Sequence, residues 1–262
     1  MPPVPLALAL HLLLGACAST PVQDAGPGGA SAGAPVVEHV EPKADPAARF
    51  GQAAPAPAPG QAVAIFAGGC FWCVEKPFDQ VEGVLATTSG YTDGPELNPT
   101  YEQVGGHATG HTEALRVLYD PTVVSYARLL DVFWHNIDPT QAEGQFCDKG
   151  HQYRSGIYTS DPAERALAQA SLAAVSARLN APVVTEIDDA SPFWPAEDYH
   201  QDFYDKDPVR YLSYRAGCGR DRRLDALWGQ AARVGAGEAW VNQSAAAPSA
   251  APSAAAPSAA GG

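Results

Sequence analysis

The sequence predicts an α+β protein, a two-layer sandwich on a mixed sheet followed by a long irregular C-terminal coil. Three observations carry that expectation. Short apolar runs of strand length alternate with amphipathic runs of helix length, without a strict repeat. All five Trp fall within 61–240, a stretch long enough to bury a core of its own. Beyond Ser191 the aromatics lose any period, which reads as coil packed on that core.

The elements follow in order. Ala62 to Ala67 is short and wholly apolar, a buried strand. Gly68-Gly69 turns the chain, and Cys70 to Val81 then sets Phe71, Val74, Phe78 and Val81 at helical spacing. Val84 to Tyr91 and Thr112 to Tyr119 read as strands, the second stopped by Asp120-Pro121. Ser125 can cap a helix whose apolar face includes Leu129, Leu130, Val132 and Phe133. Gly156 to Thr159 is a short strand. After Ser160-Asp161, Pro162 to Leu179 is an Ala-rich helix, and Pro182 to Ile187 is the last strand.

The two ends have a different composition. Residues 18–60 and 241–262 are mostly Ala, Pro, Gly and small polar residues, too poor in apolar surface to offset chain entropy. They read as a tether and a tail around a domain at 61–240. Residues 1–17 read as a signal peptide: Pro5 to Gly15 is apolar apart from His11, and small residues follow. Its ending, Leu14-Gly15-Ala16-Cys17, resembles the box at which bacterial lipoprotein precursors are cut to leave a lipidated Cys17, although no Lys or Arg precedes it. On that resemblance the protein is expected on the periplasmic face of a bacterial membrane, held only by its lipid. The absence of Asp at position 18 favours the outer membrane. A net charge of −13 argues against nucleic acid as a partner. No run reaches the roughly 18 apolar residues of a spanning helix.

Chemistry is expected first at Cys70. A cysteine where a strand turns into a helix meets unpaired N–H groups and the positive helix end, which favour a thiolate. Gly68 and Gly69 keep the backbone tight and the sulfur reachable. Cys73, one turn on, can bridge to Cys70. Pro77 removes the hydrogen bond that would close on the Cys73 carbonyl. By itself a C-x-x-C also fits a structural disulfide in an exported domain or a thiol–disulfide oxidoreductase. A zinc site recruiting Cys147 and His151 lacks a second tight cysteine pair. His107 and His111 share the spacing of a helical metal pair, but Gly105, Gly106 and Gly110 argue against a helix there. No metal or bound cofactor is expected.

Three further clusters narrow the reading: Asn98-Pro99-Thr100-Tyr101, Thr109-Gly110-His111-Thr112-Glu113, and Asp148-Lys149-Gly150-His151-Gln152-Tyr153-Arg154-Ser155. With Gly68-Gly69-Cys70-Phe71-Trp72 and Phe133-Trp134, in that chain order, they resemble the peptide methionine sulfoxide reductase A family over roughly 62–225. Cys73 stands where the usual signature has Gly, which resembles a subgroup with its second cysteine inside the motif.

The resemblance implies roles. Cys70 is the nucleophile, Glu113 the general acid, Tyr101 and Tyr153 donors to the sulfoxide oxygen, and Asp148 the residue ordering them. Phe71 and Trp72 line the slot for the substrate methyl group. Cys73 resolves the sulfenic acid on Cys70, with Cys147 and Cys218 as alternatives. The chemistry suits these residue types. A sulfoxide sulfur becomes electrophilic once its oxygen is protonated, and a carboxyl kept neutral by burial can do this near neutral pH. Two phenols add donors without charge. The expected substrates are the S epimer of methionine sulfoxide in oxidised proteins and as the free amino acid. An external thioredoxin-like dithiol is the expected electron donor, and the enzyme is expected to be a monomer. The competing reading, a thioredoxin-like thiol–disulfide oxidoreductase, leaves Tyr101, Glu113 and Tyr153 without a task.

Overall fold

The computed structural model describes residues 41–233. The signal peptide with Cys17, the tether up to residue 40 and the tail from 241 lie outside the described residues.

The elements are β1 (Ala62–Gly68), α1 (Phe71–Asp79), β2 (Val84–Thr92), α2 (Tyr101–Gly105), β3 (Thr112–Tyr119), α3 (Tyr126–Trp134), β4 (Gly144–Gln145), β5 (Asp148–Lys149), β6 (Ser155–Thr159), α4 (Pro162–Leu179), β7 (Glu186–Asp189), β8 (Trp194–Pro195), α5 (Phe203–Lys206), α6 (Pro208–Gly217) and α7 (Arg220–Trp228). Six strands form one mixed sheet in the order β7-β6-β1-β3-β2-β8. Only β6 and β7 run parallel; the other neighbours are antiparallel. The expected α+β class with a mixed sheet is the fold found.

Alternation along the strands divides the core. Ala64 and Phe66 of β1, Leu115 and Val117 of β3 and Ile157 of β6 face the helices, where Val74, Phe78, Leu129, Leu130, Phe133, Ala168 and Val175 bury them. Ile65 and Ala67, with Ala114, Tyr158 and Phe193, form a second cluster on the opposite face. The helix ends are where the sequence placed them. Ser125 accepts from the Arg128 amide. Asp161 accepts from the amides of Ala163 and Glu164, with Pro162 next to it, and Asn180 closes α4 in the left-handed region at φ 48°. Among the described residues no helix is long and apolar enough to cross a membrane.

Three segments depart from expectation. The strand expected over 182–187 is shifted to Glu186–Asp189, because it pairs with only one neighbour and Val184 instead donates its amide to the Pro139 carbonyl. The coil beyond Ser191 is irregular to 202 apart from the two-residue β8, and then forms α5, α6 and α7. The start of α6 was readable: Pro208 follows Asp207, whose side chain caps the Arg210 amide. No apolar period accompanies it, since α6 buries only Tyr211 and Arg215. Finally, residues 41–60, expected as tether, lie on the domain. Lys43 and Asp45 exchange backbone hydrogen bonds with Thr87, and Asp45 pairs with Arg116 at 2.9 Å. Polar anchors hold a segment whose own composition could not.

Candidate active site

The strand-to-helix turn after β1 builds the site. Gly69 sits at φ +81°, and a Cβ there would lie 2.5 Å from Gln145 Cβ, so glycine is needed both for the turn and for the neighbour. Cys70 is the N-cap of α1 and is 7% exposed; Cys73 is 1% exposed. Both are free thiols, and each shifts the titration of the other. Pro77 leaves the Cys73 carbonyl without its helical donor, and the Arg215 guanidinium takes it at 3.3 Å.

The charge on this pair differs from the expectation of a thiolate at Cys70. Burial, the hydrogen bond with Cys73 and the Glu113 charge push the Cys70 thiol well above its ordinary value. The hydrogen bond from Cys70, helped by the nearby Arg220 and Arg215, holds Cys73 down to about 7. The positive end of a nine-residue helix does not offset the loss of water around a buried sulfur. Burial thus opposes a thiolate at Cys70, while Arg220 and Arg215 favour one at Cys73. Arg220 is itself buried, bonded to the Gly68 carbonyl at 3.0 Å and the Asn136 carbonyl at 2.8 Å.

Glu113, the second residue of β3, is 1% exposed and accepts from the Phe71 amide at 3.0 Å. Burial raises its carboxyl to about 8, with the Asp148 and Cys73 charges adding to the rise and the Phe71 amide opposing it. At neutral pH it holds a proton within electrostatic reach of Cys70. Tyr101 opens α2, which Thr100 and Gln103 cap reciprocally. Tyr153 ends the short turn His151–Tyr153. Burial, then the charge of Glu113, raises both phenols, Tyr101 to about 12; Cys70 acts on both in the same direction. Asp148 on β5 accepts from the Tyr214 hydroxyl at 2.5 Å, and burial raises its carboxyl.

Phe71 is buried, tilted against Tyr91 and His200. Trp72 is half-buried, stacked on Phe203 with ring centres 3.7 Å apart, and its indole N–H donates to His200 Nδ1 at 2.9 Å. Burial holds the His200 imidazole down to about 4, so it is a neutral acceptor for that indole. His200, Glu197 and Tyr214 were missed in the sequence, because they lie beyond Ser191 where no period or motif marks them. Glu197 accepts from the Tyr101 amide at 3.0 Å and the Tyr91 hydroxyl at 3.2 Å.

Cys147 and Cys218, the alternative resolving thiols, are bonded to each other, their Cα atoms 4.9 Å apart across 71 residues. That disulfide also takes the Cys147 sulfur that the zinc reading required. Cys147 Sγ lies 3.7 Å from Asp148 Oδ1. Among the described residues the free thiols are Cys70 and Cys73.

Comparison with known proteins agrees with this arrangement. Residues 62–232 match the family model described as peptide methionine sulfoxide reductase. The peptide methionine sulfoxide reductase MsrA 2 of Rhizobium meliloti is 49% identical over 181 residues, covering 69% of this chain and 90% of the relative. Among solved structures, Mxr1 from Saccharomyces cerevisiae in reduced form is 29% identical with a TM-score of 0.56, covering 59% of this chain and 90% of that one. Methionine sulfoxide reductase A of Corynebacterium diphtheriae is 31% identical with a TM-score of 0.53, covering 62% and 89%. Sequence and fold agree from β1 to the turn after α7, and the chain belongs to the peptide methionine sulfoxide reductase family.

Proposed function

We propose that this methionine sulfoxide reductase acts on the S epimer, peptide-bound or free, through Cys70, in the subgroup whose second active-site cysteine lies within the motif. The observation that carries the assignment is Glu113, a buried carboxyl that keeps its proton to about 8 and is hydrogen-bonded to the residue after Cys70. Tyr101, Tyr153 and Glu113 bind the sulfoxide oxygen, and Trp72 with Phe71 behind it receives the methyl group. As Cys70 attacks the sulfur, its proton passes to Cys73 and Glu113 protonates the oxygen. The S–O bond breaks as the protonated oxygen leaves the substrate sulfur. A water oxygen then bonds to the Cys70 sulfur as the bond between Cys70 and the substrate sulfur breaks, and methionine leaves with Cys70 as a sulfenic acid. Cys73 then attacks that sulfur, releasing water and forming the Cys70–Cys73 disulfide. An external dithiol, thioredoxin-like in character, returns both thiols by exchange. A pure disulfide carrier has no use for a protonated Glu113.

Turnover of the two enantiomers of methyl p-tolyl sulfoxide with dithiothreitol tests the assignment. The S enantiomer should be consumed and the R left; equal use of both would overturn the stereochemical reading. Export as a monomeric, Cys17-lipidated protein on the periplasmic face of the outer membrane completes the proposal. Labelled palmitate should enter the full chain and be lost in Cys17→Ser.

A further inference from the structure

Residues 43–55 lie across the sheet face opposite the helices, and outside the stretch 62–232 that the family shares. They are fixed there by polar contacts. Thr87 donates its amide to the Lys43 carbonyl at 2.8 Å, and the Asp45 amide donates to the Thr87 carbonyl at 3.0 Å. Arg116 of β3 is buried on this face and is satisfied by the segment alone: it donates to Asp45 Oδ2 and to the Pro55 carbonyl, each at 2.9 Å.

The same segment holds both ends of the loop 193–202. Ala54 donates its amide to the Phe193 carbonyl at 2.8 Å, and Lys43 donates its amide to Asp202 Oδ1 at 3.2 Å. Between these ends the loop carries Glu197 and His200, the acceptors for the Tyr101 amide and the Trp72 indole. Gln201 and Ala196 bind the middle of the loop to Ser89 of β2. With β8 of this loop also paired to β2, the sheet carries the loop, and the segment braces its two ends from the outside.

We infer that residues 43–55 are a positioning clasp for the substrate slot: anchored by Asp45 on Arg116 and Thr87, its Ala54 and Lys43 brace Phe193 and Asp202, the two ends of the loop that carries His200 and Glu197 to Trp72 and Tyr101. None of these clasp residues touches the reacting atoms. Loosening the clasp therefore weakens capture of the sulfoxide and leaves the chemistry at Cys70 and Glu113 intact. The inference rests on the reading of Trp72 as a wall of the methyl slot and of Tyr101 as a donor to the sulfoxide oxygen.

The test is steady-state kinetics of full-length Asp45→Asn with methyl p-tolyl sulfoxide and dithiothreitol, well below its melting temperature. KM should rise about threefold to tenfold, the span for residues acting through others, with kcat and the pH at which kcat falls unchanged. A merely structural clasp lowers the melting temperature and leaves KM alone; that result overturns the inference. If Asp45→Asn does not fold because Arg116 is left buried and unpaired, the double variant Asp45→Asn/Arg116→Gln removes the stranded charge. It carries the same KM prediction, and an unchanged KM there is equally fatal. Absence of turnover in the parent protein would instead refute the slot itself.

Discussion

The amide of Phe71 and the carboxyl of Glu113 meet at 3.0 Å, joining the first turn of α1 to the second residue of β3. Sheet pairing makes the contact possible. β1 and β3 are antiparallel neighbours, so the turn that ends β1 and the start of β3 lie at the same end of the strands. The bond opposes the effect of burial on the carboxyl without cancelling it, and the acid stays loaded at neutral pH.

Glu113→Gln should lower kcat by roughly 10²–10⁴, the span for loss of a general acid. In the parent protein kcat should fall as pH rises through about 8, where Glu113 loses its proton. Stability should show the same group with the opposite benefit. The fold raises this carboxyl from 4.5 to about 8, so between those values the native state binds the extra proton and stability falls as pH rises. Glutamine removes that loss. The variant should therefore melt at a higher temperature than the parent near pH 8 and close to it near pH 4. Equal melting temperatures across the range would mean that Glu113 is not the buried acid.

Cys70→Ser should abolish turnover with every reductant, since a hydroxyl is a far weaker nucleophile at neutral pH. Cys73→Ser should still give one turnover per molecule in the absence of reductant, measured by rapid quench. It should keep part of its dithiothreitol-driven rate and lose most of the rate driven by a thioredoxin-like protein. Its first turnover should also slow, because the thiol that titrates near 7 and takes the Cys70 proton is gone. An unchanged thioredoxin-driven rate would move resolution away from Cys73.

The sequence carried the strands and the first four chemical clusters because each has a local mark. Alternation placed Ala64 and Phe66 inside, the glycine pair marked the turn at Cys70, and Asp161-Pro162 marked the start of α4. Thr100 and Gln103 also carried a capping signal, and it went unread because α2 is only five residues long. His200 and Tyr214 carry no such mark. Their position depends on a loop pinned by Gln201 and on a helix that buries one tyrosine and one arginine, and neither leaves a period in the sequence. The clasp at 43–55 was missed for a related reason. Composition measures what a segment can bury by itself, whereas Asp45 is held by Arg116, seventy-one residues away. The charge on the cysteine pair failed differently: helix polarity is visible in a sequence, but burial of the sulfur is not.

Tyr214→Phe removes the donor to Asp148 at 2.5 Å and leaves that half-buried carboxyl without its phenol. A hydrogen bond to a charged group is worth about 1.5–3 kcal/mol, so kcat/KM should fall by roughly tenfold to a hundredfold if Asp148 orders the donors around the sulfoxide. The Asp148 carboxyl should titrate at higher pH in the variant, because the bond from Tyr214 holds it down. Wild-type kcat/KM in Tyr214→Phe would leave Asp148 a structural residue of the β4–β5 hairpin.

The Cys147–Cys218 disulfide ties that hairpin to the end of α6, beside Asp148 on one side and four residues from Tyr214 on the other. Two roles are separable by substitution. As a strut, the bond closes a 71-residue separation, and removing it should cost about 4 kcal/mol by the loop-entropy relation. The double variant Cys147→Ser/Cys218→Ser should then melt roughly 10 °C lower, on the scaling for a domain of this size. It should keep multiple turnovers with dithiothreitol, because Cys70 and Cys73 remain as a complete reducible pair. Its kcat/KM should drop in the same direction as that of Tyr214→Phe, since the Asp148–Tyr214 contact loses its brace. If the double variant instead loses thioredoxin-driven turnover while keeping the dithiothreitol-driven rate, these two cysteines carry electrons from the donor to the Cys70–Cys73 pair.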